Sequence, residues 1–163
     1  MLTVREETPA DYAAIRALLL EAFPLPSEAN LVERLRDEGD VVLALVAFDG
    51  DALVGHVMLS PMRAPFPALG LAPLTVHAGR RNQGIGARLV AEAVERVRGG
   101  AWEAMFVVGD PEYYARFGFA AEAAAGYKCA YSGPHFMAMP LDPLGPSVTF
   151  GNVAFAPAFA IFE

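Results

Sequence analysis

A glycine-rich stretch carries the best-defined chemical motif of the chain. Residues 79–89 read GRRNQGIGARL, in which Arg81, Gly84 and Gly86 follow the pattern R-x-x-G-x-G. Such a loop gathers backbone N–H groups at a helix N-terminus, where the dipole favours negative charge and glycines let a ligand approach the main chain. The pattern favours a pyrophosphate, with an ordinary helix start flanked by solvated arginines as the alternative. A dinucleotide fingerprint and a P-loop are excluded, because the third glycine and the Lys-Ser/Thr pair are missing.

Tyr114 and His56 are the side chains best suited to move a proton. Tyr114 lies in EYYARFGF, where three further aromatic residues make core packing the alternative role. His56 lies in LVGHVML and has the ordinary pKa of a base near neutrality, with a structural histidine on an apolar strand as the alternative. Hairpin pairing through Asp49-Gly50 predicts His56 opposite Leu43. That register sets it on one face with Ala52, Val54 and Met58. Three scattered histidines and one cysteine indicate no metal site.

The elements that must position these residues alternate between strands and helices. The predicted order is β α α β β β α β α β β, a mixed α/β fold around one sheet. Alternation predicts a strand over Leu2–Glu6, and Asp-Gly between two apolar runs predicts a hairpin over Val41–Leu59. A further strand ends just before the glycine loop, and the amphipathic helix after the loop ends at Gly99-Gly100. The apolar run Ala104–Val108 predicts a buried strand, and PHFMAMPL a later one.

Composition narrows the class of protein. The 163 residues suit one domain, and 55% hydrophobic residues indicate a packed core. The net charge of −7 argues against nucleic acid and suits a cationic ligand such as an amine. Cys129, the single cysteine, excludes an internal disulfide. Charged residues near the start of the chain argue against a secretory signal. Prolines and glycines interrupt the apolar tail 143–162, which argues against a membrane helix. We therefore expect a soluble, cytoplasmic protein.

The glycine loop and the segment around Tyr114 together resemble the GNAT superfamily of N-acetyltransferases, whose acetyl-CoA loop reads [QR]-x-x-G-x-[GA] after a central strand. GDPEYYARFGF resembles the second signature of the family, with Tyr114 four residues before Gly118. The resemblance covers about Leu2 to Met139, and within the superfamily VGHVMLSPM and GDPEYYARFGF are most similar to the YhbS-like predicted acetyltransferases. It implies a GNAT-type, mostly antiparallel sheet flanked by helices in one domain, 1–163. Residues 139–163 form a C-terminal extension that adds a strand or forms an interface.

The resemblance also implies how acetyl-CoA is held as co-substrate. Strand Ala104–Val108 splays away from strand Leu71–Val76 to leave a wedge for the thioester. The resemblance implies that Tyr114 donates a proton to the departing CoA thiolate or stabilises its charge through a hydrogen bond. Many members of the family carry a glutamate on the strand before the loop. Here that strand contains no acid, so either water relays the amine proton or another group such as His56 serves as base. The residues expected to hold acetyl-CoA are Leu74, Thr75 and Val76 for pantetheine, and Arg81, Asn82, Gln83, Gly84, Ile85, Gly86 and Ala87 for pyrophosphate.

The acceptor is expected opposite the cofactor, against the loop AFPLPSEAN between the first two helices. Phe23 and Glu28 there offer an apolar wall and one acid for an ammonium group, with a turn closed by two prolines as the alternative. The function expected is acetyl transfer to a primary amine of a small molecule or peptide. An acyl-CoA-binding or partner-binding module with little turnover is the alternative, and a homodimer is left open.

Overall fold

The computed structural model describes all 163 residues, and one central sheet organises them. The strands are β1 Leu2–Glu6, β2 Leu43–Asp49, β3 Ala52–Pro61, β4 Ala68–Val76, β5 Ala104–Val108, β6 Tyr127–Lys128, β7 Phe136–Pro140 and β8 Gly151–Asn152. The central sheet contains six of them in the order β1-β2-β3-β4-β5-β7, and only its β4–β5 pair is parallel. A separate small sheet pairs β6 with β8. The expected mostly antiparallel mixed fold is therefore confirmed.

Helices cover both faces of the sheet. One core lies between the sheet and the first two α-helices, and a second core lies under the helix that follows the glycine loop. The buried stripe expected on that third helix is present, because its apolar residues recur every three to four positions. No helix combines the length and the apolar content that crossing a membrane requires. The α-helices are α1 Tyr12–Ala22, α2 Ser27–Asp37, α3 Ile85–Val97, α4 Pro111–Ala115 and α5 Ala121–Ala124; 3-10 turns span Pro9–Asp11, Ala78–Arg80 and Pro157–Phe162.

Strands β4 and β5 diverge after three paired residues. Their parallel register begins at Ala68 opposite Ala104 and ends at Gly70 opposite Phe106. Beyond that point β4 continues to Val76 with no partner on its β5 side, while β5 runs on beside β7. The expected wedge between the two strands is therefore part of the fold. Its walls are an unpaired strand edge and the start of α4.

The register predicted for the β2–β3 hairpin was wrong. Asp49 pairs with Ala52, so the turn residues are Gly50 and Asp51 instead of Asp49 and Gly50. Val54 is then an extra residue in a β-bulge, because Ala47 pairs with Gly55 and Phe48 with Leu53. His56 consequently lies opposite Val46, not Leu43. The bulge also places Val54 in the core under α3, while Met58 stays in the core under α1 and α2.

The C-terminal segment folds back along the domain. Ala154 exchanges backbone hydrogen bonds with Arg63, and strand β8 lies beside β6. Ala158 and Phe159, in the last 3-10 turn, are buried in the same core as helix α2. The chain end therefore lies next to the loop between α1 and α2.

Candidate active site

The glycine loop presents an uninterrupted series of free backbone donors. None of the N–H groups from Asn82 to Ala87 donates to an acceptor within the protein; the first intrahelical bond runs from Arg88 N to Gly84 O. Three of the six belong to the loop and three to the first turn of α3, where a helix leaves its amides without partners. Unpaired N–H groups at the positive end of a helix are the kind of donors that bind anions in proteins.

Two glycines give this loop its shape. Gly84 caps α3 in the left-handed region with a φ of 80°, which side-chain-bearing residues rarely adopt. Asn82 also has a positive φ, 63°, so the chain turns sharply twice within three residues. At Gly86 a Cβ atom placed on the backbone comes 2.5 Å from the Tyr113 hydroxyl, so the absence of a side chain lets α4 approach α3. The spacing of the R-x-x-G-x-G motif thus matches the positions that the turn requires.

The free edge of β4 adds main-chain groups to the same groove. His77 N donates to Val54 O, so in the alternating pattern of an antiparallel ladder His77 and Thr75 turn their backbone groups toward β3. Leu74 and Val76 therefore direct theirs into the wedge. Thr75 still lines the groove with its side chain, which is 3% exposed and whose hydroxyl makes no hydrogen bond.

These groups line a groove of about 790 Å³ between β4, the glycine loop and α4. Nine of the ten residues expected to hold acetyl-CoA line it; Gln83 does not, because its side chain accepts a hydrogen bond from Arg80. Arg80 itself pairs with Asp49 at 2.6 Å. Arg81 and Arg116 line the groove without a carboxylate partner. The full lining is Ala22, Phe23, Leu74, Thr75, Val76, Arg80, Arg81, Asn82, Gly84, Ile85, Gly86, Ala87, Asp110, Glu112, Tyr113 and Arg116.

Tyr114 lies on α4, on the opposite side of the wedge from β4. Its ring packs edge-on against Tyr113 and Phe119, with ring centres 5.0 and 5.8 Å apart, so it has the packing role that its aromatic neighbours suggest. Its hydroxyl makes no hydrogen bond within the protein, and the residue also lines a second cavity. Burial, and after it the nearby Tyr113, raise the pKa of Tyr114 to about 12. The phenol is therefore protonated at neutral pH and has a proton to give.

The second cavity, of about 390 Å³, adjoins the groove and shares Phe23 and Leu74 with it. Glu28, at the start of α2, lines it together with Tyr114. The two residues expected on the acceptor side, Phe23 and Glu28, thus lie in one cavity with the candidate acid. The full lining is Phe23, Glu28, Leu31, Leu71, Ala72, Pro73, Leu74, Val108, Tyr114, Tyr131, Phe155, Phe159 and Phe162.

His56 lies outside both cavities, which contradicts its placement at the reacting centre. It is fully buried, and its Nε2 lies 2.9 Å from Glu7 Oε1. Arg36 binds the same carboxylate with two hydrogen bonds of 2.9 Å. Burial lowers the pKa of His56, against the opposing effect of Glu7. The histidine joins β3 to α2 and the chain start, which is a structural role.

Comparison with known proteins decides the family. The model of the acetyltransferase (GNAT) domain family matches residues 3–121, which is well over half of the chain. The chain belongs to the GNAT acetyltransferase family. An N-acetyltransferase of Escherichia coli K12, YhbS, is 36% identical over 136 residues, which cover 81% of each chain.

Two solved GNAT structures resemble this one over nearly its whole length. The E. coli YhbS structure in complex with CoA has a TM-score of 0.91 at 32% identity, covering 99% of this chain and 93% of that one. A GNAT acetyltransferase from Brucella melitensis in complex with acetyl-CoA has a TM-score of 0.81 at 31% identity, covering 98% of both chains. The resemblance to the YhbS-like group is therefore confirmed. No cluster of His, Cys, Asp or Glu suitable for a metal ion is present in this GNAT domain.

Several residues of this GNAT site had no signal in the sequence. Arg116 lines the groove. The Cζ atom of its guanidinium lies 4.4 Å from the ring centre of Tyr113 and 5.3 Å from that of Phe117. Only its spacing of three residues from Tyr113 on a short helix hints at that stacking. Tyr131 and the phenylalanines of the chain end reach the second cavity through contacts distant in sequence.

Proposed function

We propose that this protein transfers the acetyl group of acetyl-CoA to a primary amine by direct attack of the amine on the thioester. The observation that carries the proposal is the continuity of the two cavities. A groove lined with free amides and unpaired arginines meets, at Phe23 and Leu74, a cavity that holds a protonated tyrosine. Family membership supplies the class of reaction, and the relatives bound to CoA and acetyl-CoA supply the donor.

Two kinds of contact in the groove bind the two parts of acetyl-CoA. The amides from Asn82 to Ala87 bind the pyrophosphate, and Arg81 and Arg116 offset its charge. The outward backbone groups of Leu74 and Val76 bind the pantetheine arm as a neighbouring strand does. Acetyl-CoA supplies the activated acetyl group, and the wedge between β4 and β5 directs its thioester toward Tyr114.

Tyr114 acts as the general acid. The amine nitrogen bonds to the acetyl carbon while the carbon–sulfur bond breaks, and the Tyr114 proton passes to the sulfur, which leaves as the thiol. The acceptor arrives as an ammonium ion, gives one proton to water before the attack and gives a second as the amide forms, and Tyr114 is reprotonated from solvent. No carboxylate lies on β4, so water in the second cavity takes the role that a strand acid would have. Phe23 and Glu28 line the acceptor side.

An acyl-CoA-binding module without turnover is the alternative, and the missing strand acid favours it. Release of CoA thiol, measured with a panel of primary amines, separates the two functions. We expect thiol release that depends on the amine, and a loss of about 100-fold or more in kcat for Tyr114→Phe. Tyr12→Phe, which alters a partly exposed tyrosine on α1 outside both cavities, is the matched control with unchanged rate. Tight acetyl-CoA binding without amine-dependent release establishes the module instead.

A further inference from the structure

We propose that the second cavity accepts a small, largely apolar primary amine, whose ammonium group Glu28 attracts and whose carbon skeleton packs against aromatic rings of the C-terminal segment. The inference rests on the proposed function, because it names the acceptor class for that same reaction. It goes further by choosing a small apolar amine over a peptide, a polyamine or an amino sugar.

The two adjoining cavities differ in net charge. Three arginines and two carboxylates, Asp110 and Glu112, line the donor groove, whereas the acceptor cavity contains no lysine, arginine or histidine. Apart from two tyrosines, Glu28 is its only ionisable residue. The anionic donor and a cationic acceptor are thereby directed to different cavities.

Glu28 differs from the other acids of α2 in combining partial burial with the lack of a partner. Glu33 is paired with Arg16, and Glu38 with Arg34. Glu28 forms neither an ion pair nor a side-chain hydrogen bond, although it is half-buried beside aromatic rings. A carboxylate is costly to desolvate without a counter-ion, and an ammonium group entering this cavity provides one.

The C-terminal segment supplies the apolar wall. The ring centre of Phe155 lies 5.7 Å from that of Tyr131 and 5.2 Å from that of Phe159. The Tyr131 hydroxyl donates a hydrogen bond to Phe159 O at 3.4 Å. Phe155 and Phe159 are buried, whereas Phe162 is 40% exposed at the rim. Such rings favour an apolar or aromatic skeleton, and their faces also attract an ammonium group.

The size and polarity of the cavity exclude the larger acceptor classes. A volume of about 390 Å³ is near the lower end for ligand sites and suits one ring on a short arm. Eleven of its thirteen lining residues are hydrophobic, so the hydroxyls of an amino sugar find few partners. The second ammonium of a polyamine finds no further lining carboxylate, and unpaired polar groups reduce affinity.

Steady-state kinetics at saturating acetyl-CoA test this assignment. We expect 2-phenylethylamine and cyclohexylmethylamine to exceed putrescine, glucosamine and a lysine-containing tetrapeptide by about tenfold or more in kcat/KM. A preference for the diamine, the sugar or the peptide overturns the acceptor class and leaves acetyl transfer intact. No turnover with any amine, by protein that binds acetyl-CoA, overturns the proposed function and this inference with it.

Two sets of variants test whether the amine binds in the second cavity. Glu28→Gln is expected to raise KM for 2-phenylethylamine by about tenfold with KM for acetyl-CoA unchanged, and Glu28→Asp to restore part of the loss. Asp37→Asn removes one charge from the exposed end of the same helix and should leave both constants unchanged. Equal effects of Glu28→Gln and Asp37→Asn refute the role of Glu28.

The second pair examines the aromatic wall. Phe162→Ala should raise KM for 2-phenylethylamine several-fold and leave the unfolding midpoint within about a degree, because Phe162 lies at the rim. Phe150→Ala removes a ring that is 72% exposed and lines neither cavity, so both constants should remain unchanged. An unchanged KM in Phe162→Ala contradicts the proposed wall.

Discussion

The ring of Tyr114 lies directly against the backbone of Gly109, so one added methyl group tests whether the position of this ring governs the rate. In Gly109→Ala the new Cβ falls 2.5 Å from Tyr114 Cε2 and 3.1 Å from Cδ2. Carbon atoms in contact prefer about 3.5–4.0 Å, so the ring edge must retreat by about 1 Å. A displacement of that size at a reacting group costs on the order of 100-fold in rate.

The assay is kcat for amine-dependent CoA release, with KM for acetyl-CoA measured alongside it. Gly109→Ala should approach the loss seen in Tyr114→Phe, while KM for acetyl-CoA stays within about twofold because the amides of the loop are not displaced. The double variant should be little worse than Tyr114→Phe alone, since both changes remove one contribution. Gly100→Ala is the control, because its Cβ comes no nearer than 3.4 Å to another atom. Full activity in Gly109→Ala, or losses that multiply in the double variant, refutes the reasoning.

Three further predictions address the donor groove and the buried histidine. Gly84→Ala should lower the free energy of unfolding by about 1–2 kcal/mol and raise KM for acetyl-CoA, because the φ of 80° at this position is strained for alanine. Thermal unfolding measures the first effect and steady-state kinetics the second. An unchanged KM contradicts the assignment of the loop to acetyl-CoA. Arg81→Ala should weaken acetyl-CoA binding in titration calorimetry, and less so at high salt, whereas Arg98→Ala, beyond the end of α3, should not; equal affinities refute the electrostatic role. Since burial lowers the pKa of His56, its contribution to stability is present above its unfolded pKa of about 6.5 and is lost as pH falls through the folded value. The unfolding midpoint should decline on acidification below about pH 6.5, and the decline should be less steep in His56→Gln than in the control His135→Gln. Identical slopes in the two variants contradict the assignment of this pH dependence to His56.

The glycine loop and the elements on either side of it could be predicted from local features of the sequence. The R-x-x-G-x-G spacing, a strand before it and an amphipathic helix after it are properties of neighbouring residues, and turn geometry and helix dipole act at that range. The splay of β4 from β5 came from family resemblance, because pairing between strands that are distant along the chain leaves no local pattern. The role predicted for Tyr114 also came from family resemblance, because its aromatic neighbours favour packing, and that role stays a prediction. The structure adds that Tyr114 lines the second cavity.

The errors arose where long-range packing decides. The hairpin turn falls one residue later than predicted, and the extra residue Val54 shifts the register further. The apolar sequence around Val54 gives no sign of a bulge because both faces of the sheet are buried. The partner of His56 was also not predictable from local sequence, because Glu7, which binds it, and Arg36, which binds Glu7, belong to segments distant along the chain. The sequence also contained no sign that the chain end returns to the second cavity, because Phe159 reaches it by packing beside α2 and not through any motif.

The most direct test of acetyl transfer is the stoichiometry of its two products. Purified protein is incubated with acetyl-CoA and each primary amine of the panel, and free thiol and N-acetylated amine are quantified from the same sample by colorimetry and mass spectrometry. We predict one N-acetylated amine for each thiol released, with both reduced together in Tyr114→Phe. Thiol release without acetylated amine, or no release with any amine, contradicts the function assigned to this site.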